Sequence, residues 1–249
     1  MRRHSGRTPG FLPQGLALLY EDRDILVVDK PPGLLTISTD TEKTKTAYHI
    51  LMDYVRKGQT KSRKRVFIVH RLDRETSGVL LFAKTPEAKT RLQGQWQDTR
   101  KKYFAVVHGT MDKAAATIST YLAENQAHVV YSTTDARRGR LARTAYRVLE
   151  QAPHAALLEI DLLTGRKHQI RVHLAGIGHA VVGDPKYGQD EREKSRLALH
   201  ASSISFLHPF DGTPMTIGTP LPASFKALMR APDPRRPPGR RPAPRSRRA

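Results

Sequence analysis

VFIVHRLDRETSGVLLFAKT, residues 66–85, sets a charged loop between two apolar runs. The runs 66–69 and 79–82 have the length and the β-branched or aromatic content of buried strands. Between them stand His70, Arg71, Asp73, Arg74 and Glu75. Two residues suffice for a tight hairpin, so a connection this long and this charged asks for a chemical reason. Thr76-Ser77-Gly78 suits a tight turn that positions the loop backbone.

Working outward, residues 24–36 read as a short strand closed by a turn at Pro31, Pro32 and Gly33. A helix follows, with Thr46 as N-cap, an apolar face of Ala47, Ile50, Leu51, Tyr54 and Val55, and Gly58 at its end. Thr85 caps a second helix with Pro86 at its first position and Ala88, Leu92 and Trp96 on one face. Residues 101–109 form a strand, with weaker strands near 117–122, 128–132 and 143–149 and a stronger one at 155–163. RKHQIRVHLAGIG, 166–178, reads as a helix stopped by glycine, and 179–188 and 197–209 as two more strand-like pieces. Many strands and few helices, without regular alternation, predict an α+β fold with a large mixed, mostly antiparallel sheet and flanking helices. No internal repeat and no clear linker divides residues 16–230.

The chain of 249 residues is long enough to bury a substantial core. Its net charge of +20 implies a polyanionic partner or an acidic surface such as an anionic membrane. Arginines and prolines crowd residues 231–249, where Asp233 is the single acid, so this segment reads as a disordered basic tail. RKGQTKSRKR, 56–65, is a second basic cluster, either a solvated loop or an RNA contact. The basic N-terminal extension, 1–15, lacks the apolar stretch of a signal peptide. No run of about 18 apolar residues predicts a membrane span. With no cysteine, disulfides, thiolate nucleophiles and Cys-based zinc sites are excluded. A cytoplasmic protein is the expectation.

Cations beside a carboxylate favour its ionised form, so Asp73 between Arg71 and Arg74 reads as a charged group. It could be a nucleophile, a base or half of a structural ion pair. Arg166, Lys167, His168, Arg171 and His173 converge within eight residues of an element that also carries Ile170, Val172 and Leu174. An element that packs in this way puts some of its polar groups at a cleft edge. A buried Arg171 would need a carboxylate partner, and a forked pair would orient it. His168 and His173 are five apart, a spacing that suits neither a helix nor a strand for sharing one metal ion. Tyr103, with Lys101 and Lys102 beside it, is either a core tyrosine or a platform for an unstacked base with cations for phosphate. No glycine-rich nucleotide loop and no GxSxG occurs. Asp73 and Glu75 are too close in sequence to flank a sugar as a glycosidase pair would; Asp161 or Asp184 would have to supply the second acid.

Five stretches together resemble the RluA-type RNA pseudouridine synthases. They are HRLDRETSG (70–78) in VHRLDRETSGVLLFAKT, then LYEDRDILVVDKPPGLLT, KKYFAVVHG, TGRKHQIRVHLAGIGHAVVGDPKYG and LALHASSISFLHP. The resemblance covers about residues 18–222 and implies a pseudouridine synthase catalytic fold with a central cleft over 16–230. It implies an isomerase that turns uridine in structured RNA into pseudouridine without cofactor or metal. Asp73 would be the catalytic carboxylate, acting on C1′, on the uracil ring or on the C2′ proton. Arg171 would pair with Asp73, Tyr103 would stack on the uracil and aid proton transfer at C5, and Arg71 would fill the gap left by the flipped base. His70, Arg74, Lys101, Lys102, Arg166, Lys167 and His168 would meet the RNA, ribosomal RNA more readily than tRNA, and the enzyme would act as a monomer. About fifteen residues precede the core, too few for the S4 domain of larger relatives. Lys167 replaces a usual Ser or Thr, and Ala180 a common Pro. A catalytically silent RNA-binding relative is the alternative.

Overall fold

The computed structural model describes residues 10–59, 61–188 and 195–230. The expected tail, 231–249, and most of the N-terminal extension lie outside the described residues.

Among the described residues, eleven strands form one sheet. β1 (Ala17–Glu21) pairs with β2 (Ile25–Lys30), and β2 with β4 (Ser77–Ala83). β10 (Leu199–Leu207), β5 (Arg100–His108), β9 (Ala155–Leu162), β8 (Arg140–Ala152), β6 (Ala115–Glu124) and β7 (Val130–Thr133) continue the order. β3 (Phe67–Ile68) pairs with β4 and β11 (Pro214–Gly218) with β10. Of these pairings only β4 with β10 is parallel, so the sheet is mixed and mostly antiparallel. β2 and β4 carry apolar groups on both faces because helices cover both. Leu26, Val28, Leu80 and Phe82 share one core cluster with the apolar face of α1 (Ala47–Arg56), while α4 (Ala223–Arg230) lies over β5, β8 and β9. Ile25, Val27, Val79 and Leu81 pack with α2 (Pro86–Gly94).

Both expected caps form: Thr46 Oγ1 accepts from His49 N at 3.1 Å and Thr85 Oγ1 from Ala88 N at 3.0 Å. Lys57, in left-handed conformation ahead of Gly58, ends α1. The 166–178 segment is helical over α3 (Gln169–Gly176), but it is no solvated helix: residues 169–174 are all buried. Three elements escape sequence patterning. β1, β11 and α4 are short, and their burial depends on distant partners. Residues 179–188 make only one isolated bridge, Val107 with Val181, instead of a strand.

One junction places the site. β4 has β2 along one edge, while its other edge is shared, by β10 at 77–78 and by β3 at 82–83. The parallel contact needs Gly78. Its φ is +111°, and a Cβ there would lie 2.2 Å from the Ala201 carbonyl oxygen. The charged loop leaves from this junction.

Candidate active site

The loop is pinned from below by the turn that follows β2. Lys30 is fully buried, and its ammonium donates to the carbonyls of Pro31 (3.0 Å), Leu34 (2.8 Å) and Arg74 (3.0 Å). Gly33 N donates to Arg74 O at 2.9 Å, and Thr36 Oγ1 bonds both the N–H and the C=O of Leu72. Thus the backbone on either side of Asp73 is fixed, and the Leu72 side chain is buried as an anchor.

Asp73 opens onto a cleft of about 360 Å³. Its side chain is 31% exposed. Tyr103 from β5, Leu162 from β9, and His168 and Arg171 at the start of α3 face the same space. Among the described residues, Asp73 is the one carboxylate lining it. Tyr103 is buried, and burial, followed by the charge of Asp73, pushes its phenol well above the ordinary value. It therefore stays protonated through neutral pH.

Arg171 Nη1 lies 3.4 Å from Asp73 Oδ2. The forked pair goes elsewhere: Nε and Nη2 donate to the two oxygens of Asp184, each at 2.7 Å. Burial alone would raise the Asp184 pKa. The guanidinium and the N–H groups of Lys186 and Tyr187 bring it below the ordinary carboxylate value. Asp184 is therefore no second acid for a glycosidase, and Asp161 lies at 3.7 Å from Lys102 outside the cleft. His168 Nε2 is 3.8 Å from Asp73, and its Nδ1 meets the Tyr187 hydroxyl at 2.8 Å. Burial holds His168 below the ordinary imidazole value, although Asp73 opposes the shift. Gln169 locks this segment to β8: its Oε1 accepts from Thr164 Oγ1 (2.7 Å) and its Nε2 donates to Arg143 O and Thr144 Oγ1 (both 2.9 Å).

The expected RNA contacts divide. Arg71 is exposed at the mouth, between the cleft and an adjoining groove. Lys101 lines the cleft, donating to Trp96 O at 3.1 Å with its ammonium 4.8 Å from the Trp96 ring centre. Arg166 and Lys167 line the cleft edge; Arg166 Nε donates to Leu141 O (3.2 Å) and Lys167 pairs with Glu124 at 2.5 Å.

Three more of the expected contacts are placed differently. Lys102 points to the opposite face of β5, as strand alternation requires, and pairs with Glu159 at 3.1 Å. Arg74 donates to Gly33 O at 3.1 Å and borders the adjoining groove, not the cleft. His70 is no phosphate cation. Leu81 N falls in the gap between β10 and β3, and His70 Nε2 accepts from it at 3.0 Å in place of a strand. Burial, with help from Lys101, lowers the His70 pKa to about 3, so the ring is neutral. Lys30, Thr36, Gln169, Asp184 and Tyr187 were not singled out for these roles. The one signal for Asp184 and Tyr187 was their place in the last part of the GRKHQIR-containing stretch.

Comparison with known proteins identifies the family. A family described as RNA pseudouridylate synthase matches residues 24–176. An RNA pseudouridine synthase of Mycoplasma genitalium is 36% identical over 87% of this chain and 70% of its own length. Ribosomal large subunit pseudouridine synthase D of Nitrosomonas europaea is 37% identical over 87% of this chain and 65% of its own. Among solved structures, human RNA Pseudouridylate Synthase Domain Containing 1 superposes with a TM-score of 0.67 at 28% identity, covering 86% of each chain. The charged loop on β4 and the α3 segment both fall inside the matched region, and the chain belongs to the family of RNA pseudouridine synthases, which are isomerases.

Proposed function

We propose that this chain isomerises uridine in structured RNA, ribosomal RNA before tRNA, with Asp73 as the catalytic carboxylate. The observation that carries the reading is that Asp73 is, among the described residues, the single carboxylate of the cleft, on a backbone pinned from both sides. Two-acid glycoside hydrolysis would need a second positioned carboxylate there. The names of relatives that modify the large ribosomal subunit support the substrate class.

The target base leaves its stack at a cost of about a few kcal/mol. Tyr103 receives the uracil on its ring face, and Arg71 enters the vacated space. Asp73 acts at the ribose or the ring while the N1–C1′ bond breaks and a C5–C1′ bond forms. The C5 hydrogen is lost as a proton, and N1 gains one. Tyr103, protonated at rest, aids the proton transfer at C5. The reaction balances with no redox partner or cofactor, and one chain supplies every group named. The described residues contain no helix long and apolar enough to cross a membrane; we place the enzyme in the cytoplasm with its RNA.

Tritium release from RNA carrying 5-tritiated uridine tests this directly. Ribosomal RNA should release tritium with the wild type and not with Asp73→Asn, which should keep its RNA affinity. Release by Asp73→Asn would sink the assignment of Asp73. Release from tRNA alone would move the substrate class, and release from neither RNA would favour a silent RNA binder.

A further inference from the structure

Arg171 and His168 both approach Asp73, and both are held by one turn, GDPKY at 183–187. We propose that this turn is a positioning clamp for Asp73: Asp184 sets the angle of the Arg171 guanidinium, and Tyr187 sets the tautomer of His168. The proposal rests on the reading of Asp73 as the catalytic carboxylate.

A guanidinium has a side-on edge, Nε with Nη2, and an end-on edge, Nη1 with Nη2. Asp184 occupies the Nε/Nη2 edge, with a side chain that is fully buried. Asp73 is left with Nη1 alone, at 3.4 Å. Had Arg171 given its fork to Asp73, both carboxylate oxygens would be tied and the group could not advance on a substrate atom. Asp184 thus takes the tight pairing, and Asp73 keeps a long, one-point contact that steers it without engaging both oxygens. Asp184 cannot turn aside, because its Oδ1 also accepts the N–H groups of Lys186 (2.9 Å) and Tyr187 (3.0 Å). The turn also packs closely on the chain before β10: Gly183 has φ +71°, and a Cβ there would lie 2.3 Å from Arg196 O.

The second arm fixes a proton. The Tyr187 oxygen accepts from Val130 N at 3.3 Å. On the clamp reading its own hydrogen goes to His168 Nδ1, 2.8 Å away. A neutral imidazole that accepts at Nδ1 carries its proton on Nε2, the nitrogen facing Asp73 at 3.8 Å. Two donors, Nη1–H and Nε2–H, therefore flank Asp73 Oδ2. The Tyr187 ring also lies 5.1 Å from the Arg171 guanidinium carbon, so one side chain braces both arms.

The test uses the full chain. Long-range ¹H–¹⁵N spectra report the His168 tautomer without any assay of activity. In the wild type we expect the Nε2–H form, and in Tyr187→Phe a new Nδ1–H population. Single-turnover tritium release should fall about tenfold in Tyr187→Phe, the scale of one lost hydrogen bond, with RNA affinity unchanged. Asp184→Asn should lose on the order of 10²-fold in the same rate, as misplaced catalytic groups do. Should Asp184→Asn not fold, Tyr187→Phe and the tautomer carry the test alone. An Nδ1–H tautomer in the wild type, or a wild-type rate in Tyr187→Phe, would overturn the clamp. A wild type that releases no tritium would instead remove the reading of activity, and its tautomer would still decide the clamp.

Discussion

Lys30→Met is the most informative single perturbation of the scaffold. Three carbonyls from two segments converge on one point inside the core, and an ammonium has three donors to meet them. Burial, opposed by the charges of Glu75, Asp73 and Asp29, lowers the Lys30 pKa from 10.5 to about 8. That shift corresponds to about 3 kcal/mol against the charged form, which methionine would relieve. Against it stand three hydrogen bonds from a charged donor, worth about 1.5–3 kcal/mol each. The net loss should be roughly 2–6 kcal/mol, and the Tm should fall by roughly 10 °C for a chain of this size. The sign of the pH dependence adds a second check. Folding lowers this pKa, so between about pH 8 and 10.5 the unfolded chain holds more protons at Lys30 than the native one. This group therefore makes stability rise with pH in that window, and below it the penalty is constant. Urea unfolding, followed by Trp96 fluorescence and circular dichroism, should show the wild type gaining on Lys30→Met from pH 8 to 9.5. A variant within about 1 kcal/mol of the wild type, or a difference that does not change with pH, would refute the account.

Gly78→Ala should cost at least about 3 kcal/mol in urea unfolding, since the new methyl meets the β10 backbone in a left-handed conformation. Thr46→Ala removes a buried N-cap and should cost about 1 kcal/mol by the same measurement. Lys101→Ala should weaken RNA binding in filter assays, most strongly at low salt, whereas Lys102→Ala should change it little because that side chain pairs with Glu159 on the other face. Equal effects of the two lysine variants would contradict the placement of the RNA at the cleft.

Local patterning carried much of the fold. Thr46 and Thr85 announce their helices because a cap is satisfied within three residues. The runs around residues 70–78 announce β4 because a strand buried on both faces must be apolar throughout. Even the correction at Lys102 follows from alternation, since residues 101 and 103 share a face and 102 cannot. His70 is different. Its role depends on where β10 stops and β3 begins along β4, and neither end is marked in the residues near it.

The same divide runs through the site. Asp73, Tyr103 and Arg171 share one cleft, and each sits in a short motif of distinctive residue types. The α+β class was legible because periodicity and capping are interactions between near neighbours. Which carboxylate receives the Arg171 fork was not: Asp73 lies 98 residues away along the chain and Asp184 only 13, and sequence distance does not rank them. That Lys30 staples a loop 44 residues distant was equally hidden. Charge and residue type identify the groups that can react, while their pairing is settled by burial, where each donor and acceptor must find a partner within about 3 Å.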